Sequence, residues 1–163
     1  MLALQRRLFG DDSEDVLASM SALADVDLDT ILDFYESAGL GGDNRIDLQK
    51  AKALLKKITT YPDYRLYIAT NEAASPVGTY ALLIMDNIAH GGRPLAVVEQ
   101  VAVASNQRGR GVGTAMMQHA MSEAKSTGCY KLQLSSHTRF EDAHKFYDKL
   151  GFTRHGYSFY VDL

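Results

Sequence analysis

Nine residues from Leu95 to Val103, LAVVEQVAV, form the most strand-like stretch of the chain. Soon after come three glycines at alternating positions, in QRGRGVGTA from Gln107 to Ala115. Apolar and β-branched side chains at that density favour a central strand. Beyond the glycines, Met116, Ala120, Met121 and Ala124 keep helical spacing until Gly128 offers a stop. A strand that passes through a glycine-rich turn into a helix commits this region to layers, because the apolar side of the helix has to cover the sheet.

The flanking segments extend that plan. Weak apolar alternation over Val16 to Leu23 predicts a short strand, and capping side chains between Asp25 and Thr30 precede a helix with Ile31, Leu32, Phe34 and Tyr35. Glycines within Gly39 to Asp43 break that helix, and Asp47 caps a second one through Leu48, Ala51, Leu54, Leu55 and Ile58, closed by Pro62. Tyr64 to Thr70 and Val77 to Met85 predict a hairpin around the polar turn Asn71 to Pro76, with Asp86 to Pro94 as a longer loop. After Gly128 the pattern predicts a strand over Tyr130 to Ser136, a helix over Asp142 to Leu150 stopped by Gly151, and a β-rich tail from Phe152 to Leu163. The expected fold class is mixed α/β: a mostly antiparallel central sheet flanked by helices.

At 163 residues one core is the natural expectation, so 1–163 reads as a single domain, with 1–14 as an N-terminal extension. A hydrophobic share of 46% argues against disorder, and a net charge of -3 lacks the positive excess that nonspecific nucleic-acid binding requires. A single cysteine, Cys129, cannot form an intrachain disulfide and has no metal-ligand cluster around it, which points to a reducing, cytoplasmic setting. No apolar run is long enough for a secretory core or a membrane span.

The glycine loop is where chemistry enters. Without Cβ atoms, Gly109, Gly111 and Gly113 let a ligand approach the backbone, and the first turn of the following helix carries unpaired N–H groups and partial positive charge. That combination seats phosphates; a tight strand-to-helix connection with no ligand fits the same residues equally well. There is no Gly-Lys-Ser/Thr, and G-x-G-x-G is not the dinucleotide spacing G-x-G-x-x-G.

RGRGVG, Arg108 to Gly113, resembles the Arg/Gln-x-x-Gly-x-Gly/Ala signature of the GNAT family of N-acetyltransferases. VVEQVAVASNQRGRGVGTAMMQHAM is similar to that family's fourth strand, pyrophosphate loop and third helix, and DAHKFYDKLGF, Asp142 to Phe152, to its fourth helix and following Gly-Phe. The resemblance covers Leu95 to Phe152. It implies acetyl-CoA as co-substrate, no metal, and a splayed pair of strands containing Val101 and Leu132 with the pantetheine arm between them. Backbone groups of Val101, Ala102 and Val103 would bond the pantetheine amides, and those of Arg108, Gly109, Arg110, Gly111, Val112, Gly113 and Thr114 the pyrophosphate.

Acetyl transfer to an amine calls for a base and an acid. In a regular strand Glu99 shares a face with Val97, Val101 and Val103, where partial desolvation would raise its pKa; a salt-bridged or edge-exposed glutamate is the plain alternative. The resemblance implies that Glu99 is the base, directly or through water. Tyr147 beside Phe146 reads as core packing by itself, and the resemblance implies a general acid for the departing thiolate. Phe140 and Glu141 stand where many relatives have an asparagine. The histidines His90, His119, His137, His144 and His155 are scattered and read as exposed or locally hydrogen-bonded.

The resulting expectation is transfer of acetyl from acetyl-CoA to a primary amine of a small molecule by direct attack. An inactive CoA-binding regulatory domain and a protein or peptide N-acetyltransferase are the alternatives. The resemblance puts the acceptor pocket near Tyr35, Glu36, Asp86 and His90, where no pattern names the amine. An uncovered edge strand would suit a homodimer.

Overall fold

The computed structural model describes residues 19–23, 27–40 and 45–162. Five strands are assigned among them: β1 (Ser19–Ala22), β2 (Tyr64–Thr70), β3 (Pro76–Met85), β4 (Leu95–Val103) and β5 (Lys131–Leu134). The helices are α1 (Leu28–Ser37), α2 (Leu48–Ile58), α3 (Val112–Ser126) and α4 (Glu141–Lys149). The sheet order is β1-β2-β3-β4-β5, antiparallel from β1 to β4, with β5 running parallel to β4. The chain divides after Gln133 into two compact units.

In the first unit the sheet is covered on both faces. Leu66, Ile68, Ala81 and Ala102 form one core with Leu28, Ile31 and Phe34 of α1 and Ala51 and Leu55 of α2. The side chains that alternate with these, including Tyr80 and Leu82, turn to the other face, where α3 packs on β3 and β4 with Met116, Met117 and Ala120 buried. Gly78 makes that approach possible: a Cβ there would lie 2.6 Å from Met116 Sδ and 3.1 Å from the Ala102 carbonyl oxygen. The Asp47 side chain accepts from the Lys50 N–H at 2.9 Å, capping α2 as its position in the sequence predicts.

Two expectations need correction. The strand over Tyr130 to Ser136 is confined to Lys131–Leu134. Between Phe152 and Asp162 no strand is assigned, although the aromatic alternation supplies strand propensity. Propensity of this kind is realised only against a ladder partner, and the described part of the tail has none in the sheet. Val16 to Ala18, residues 1–14 and most of the Gly39 to Asp43 break lie outside the described residues. No helix among the described residues is long and apolar enough to cross a membrane.

Candidate active site

The site is organised by a β-bulge in β4. Ala81 of β3 faces Glu99 and Thr79 faces Ala102, so Gln100 and Val101 together stand opposite Tyr80. Gln100 takes the extra residue's geometry with φ of 56°. One inserted residue reverses the alternation beyond it. Glu99 therefore shares its face with Val97 and Ala102, while Val103, paired with Gly78, points to the opposite side. The expected apolar row around Glu99 thus keeps Val97 but loses Val103 to the opposite face. Because Ala81 and Ala102 belong to the core beneath α1 and α2, the Glu99 carboxylate is turned to that layer.

The surroundings of Glu99 are phenolic. Partial desolvation lifts its carboxyl above the ordinary carboxylate range, although the side chain still reaches solvent. Tyr64 is held above the usual phenol value, first by its own burial and then by the charge of Glu99. Tyr35, on the last turn of α1, donates from its hydroxyl to Gln100 Oε1 at 3.3 Å. Burial pushes the Tyr35 pKa up to about 12, so this phenol remains protonated. Sequence reasoning placed Tyr35 near an acceptor pocket but missed Gln100 and Tyr64; adjacency to Glu99 was the only available signal for Gln100.

The glycine loop ends in a left-handed turn. Gly109 has φ of 76° and Gly111, the N-cap of α3, has φ of 87°, a region that residues with Cβ atoms avoid. No side chain caps α3, so the N–H groups of its first turn, at Val112, Gly113 and Thr114, have no intrahelical partner. Arg110 is exposed beside them, and Arg108 donates from Nη2 to the Ser37 carbonyl oxygen at 3.3 Å, tying the loop to the end of α1. Val101, Ala102 and Val103 lie just upstream in β4, where Ala102 and Val103 pair with Thr79 and Gly78 of β3 on one edge. The residues fit a pyrophosphate-bearing donor: left-handed glycines, an uncapped helix of 15 residues, and arginines at the loop.

Tyr147 belongs to the second unit. It is half-buried on α4, with its ring centroid 5.1 Å from Phe146 and 5.5 Å from Phe152. Gly151, at φ of 86°, ends the helix and lets the Phe152 N–H donate to the Tyr147 carbonyl at 3.1 Å. Phe140 occupies the N-cap of α4 without a side-chain cap. Glu99 and Tyr147 are thus carried by different units.

A second polar cluster, not foreseen from the sequence, lies on the α3 face. Tyr80 and His119 are hydrogen-bonded, Tyr67 donates to Glu123 at 3.1 Å, and Arg65 lies 3.9 Å from Glu123. Among the described residues no group of three or more His, Cys, Asp or Glu is placed to hold a metal ion.

A model of the acetyltransferase (GNAT) family matches residues 28–152. A glucosamine 6-phosphate N-acetyltransferase from Trypanosoma brucei brucei is 37% identical over 87 residues, a match that spans 53% of this chain and only 57% of that protein. A putative acetyltransferase from Agrobacterium tumefaciens str. C58 superposes with a TM-score of 0.82 at 30% identity, over 90% of this chain and all of that one. Glucosamine-6-phosphate N-acetyltransferase from Arabidopsis thaliana shares the fold, with a TM-score of 0.76 at 19% identity over 88% of this chain and 97% of that one. The strand, the left-handed glycine loop and the uncapped helix fall inside the matched residues, and the chain belongs to the GNAT family of acetyltransferases.

Proposed function

We propose that this protein transfers an acetyl group from acetyl-CoA to the primary amine of a small molecule, by direct attack and without a metal. The two units act as one acetyltransferase domain, as a family match running across their boundary supports. The carrying observation is the open N-terminus of α3, entered through left-handed Gly109 and Gly111, immediately after the bulged strand that carries Glu99.

The donor supplies a thioester whose carbonyl accepts the amine and whose thiolate departs. Backbone N–H groups from Arg108 to Thr114 hold the pyrophosphate, and backbone groups of Val101 to Val103 bond the pantetheine amides. Glu99 takes the proton that the ammonium must lose to become a nucleophile, directly or through water; its raised pKa brings it closer to an amine's own range. Tyr35, protonated to about pH 12, orients the Gln100 carboxamide beside that base. Tyr147 gives its phenolic proton to the departing sulfur. Amino sugar phosphates are the acceptors to try first, in view of the trypanosomal relative. A reducing, cytoplasmic compartment suits the single free cysteine.

The test is a thermal-shift titration with acetyl-CoA, CoA and ATP, followed by thiol release with a panel of amines. A ligand at a hundred times its Kd adds about 2.7 kcal/mol of stability. Stabilisation by both CoA species but not by ATP, with amine-dependent thiol release, supports the reading. Stabilisation without turnover on any amine leaves a CoA-binding regulator, and turnover only on peptides moves the acceptor class to proteins.

A further inference from the structure

A cavity of about 330 Å³ lies between the end of α2 and the start of β2, a volume that fits a small ligand. Its walls are mainly apolar, with Leu23, Leu55, Ile58 and Leu66 beside Tyr61 and Tyr64. The two tyrosine rings are stacked, with centroids 6.4 Å apart and planes 28° from parallel, and Tyr61 is 46% exposed. A half-open aromatic pair beside an apolar cavity gains from being covered by another apolar group. Between the two tyrosines stands Asp63, at φ of 57°, a left-handed conformation that is costly for a residue with a Cβ and that recurs where ligands are clamped. The Asp63 carbonyl oxygen holds this turn by accepting from the Ile84 N–H at 2.9 Å.

The cavity runs on to the Glu99 carboxylate through Tyr64. On β3, Leu83 pairs with Tyr64 of β2 and Ala81 pairs with Glu99 of β4, so Tyr64 and Glu99 leave the same face of the sheet on either side of β3. Strands two apart in a sheet are separated by about 10 Å, within reach of a ring that carries its nitrogen on a short arm. The charge of the site suits a cation: Asp63 lines the cavity and Glu99 stands beyond Tyr64. Among the described lining residues the one cation, Arg65, already lies 3.9 Å from both Asp63 and Glu123.

We propose that this cavity receives the non-reacting body of the acceptor, and that the acceptor is an arylalkylamine whose apolar ring rests against Tyr61 and Tyr64 while a short arm carries its amine across β3 to Glu99. The inference rests on the acetyl-transfer reading and narrows its substrate. The reaction is the same: the amine nitrogen bonds to the acetyl carbon, the carbon–sulfur bond of the donor breaks, the amine proton passes to Glu99 and the sulfur leaves as the CoA thiolate. A phosphate dianion fits this position poorly, because the carboxylates of Asp63 and Glu99 outnumber the already paired Arg65. The residues involved, other than Glu99 itself, lie outside the Tyr35, Glu36, Asp86 and His90 neighbourhood that the family resemblance implies.

The test compares 2-phenylethylamine, ethylamine and glucosamine 6-phosphate as acceptors for the full chain, by thiol release from acetyl-CoA, and measures 2-phenylethylamine binding to the CoA-loaded protein by calorimetry. The expected kcat/KM for 2-phenylethylamine exceeds that for each of the other two by about tenfold or more, with the difference from ethylamine lying in KM. Tyr61→Ala removes the exposed ring, and Thr59→Trp fills the cavity from an exposed position on its wall. Each is expected to bring the ratio of 2-phenylethylamine to ethylamine close to one and to weaken calorimetric binding in step, with stabilisation by CoA retained as the check of folding. Equal kcat/KM for the two simple amines, a preference for glucosamine 6-phosphate, or a ratio unchanged in both variants overturns the proposal, as does the absence of calorimetric binding. Binding that weakens in the variants, without thiol release from any amine, supports the cavity as a ligand site and overturns the transfer reading instead.

Discussion

The Tyr80 hydroxyl lies 2.5 Å from Nδ1 of His119, joining the buried centre of β3 to the inner side of α3. Burial raises the Tyr80 pKa and lowers that of His119, so a neutral phenol meets a neutral imidazole, and the imidazole tautomer sets which of the two donates. Tyr67 is stacked on Tyr80 with centroids 5.1 Å apart and meets His119 edge-on at 5.0 Å, while Glu123 and Arg65 complete the polar surroundings.

This pair sets a pH dependence of stability. Burial lowers the His119 pKa in the folded state, against a smaller opposing effect of Glu123. Above the unfolded value of about 6.5 the ring is neutral in both states and contributes no slope. As pH falls below that value the unfolded chain takes up the proton more readily, so stability is lost on acidification. Thermal unfolding between pH 7.5 and 5 is expected to show a falling Tm, with a shallower fall in His119→Gln. Equal slopes in the two proteins would contradict the assignment.

Gly78→Ala is expected to destabilise by about 1–3 kcal/mol, the usual cost of overpacking. The new Cβ meets Met116 Sδ at 2.6 Å, and while a thioether can move, the Ala102 carbonyl at 3.1 Å and Val112 Cγ1 at 3.3 Å limit the retreat. Urea unfolding checks this: a lower midpoint at unchanged slope is the expected outcome.

Gly111→Val places a β-branched residue at φ of 87° on the lip of the proposed pyrophosphate seat. Open space around the position means the fold survives with backbone strain of about 1–2 kcal/mol, while stabilisation by CoA is lost. Retained CoA stabilisation in this variant would remove the loop from the binding site.

Much of this was legible in the sequence because local signals and tertiary packing agree. The bounds of β2 and β4, the Asp47 cap and the glycine stop at Gly151 all follow from periodicity and turn chemistry. The face of the residues beyond Glu99 was not, because a bulge depends on how two strands register: nothing in LAVVEQVAV marks Gln100 as the inserted residue. The tail shows the converse, a strand-like sequence that lacks a partner within the described sheet. The Tyr80–His119 pair spans 39 positions, and no local pattern announces a contact of that reach.

The most direct measurement is the pH dependence of kcat/KM for acetyl transfer by wild-type and Glu99→Gln proteins, each shown to be folded and to bind CoA equally. A general base works only when ionised, so the desolvated Glu99 carboxyl gives the wild type an acidic limb, with activity rising through a pKa above the ordinary glutamate value. The expected variant loses about 10²–10⁴-fold near neutral pH and lacks that limb. An unchanged rate and an unchanged profile in Glu99→Gln would contradict the role of this residue as the base.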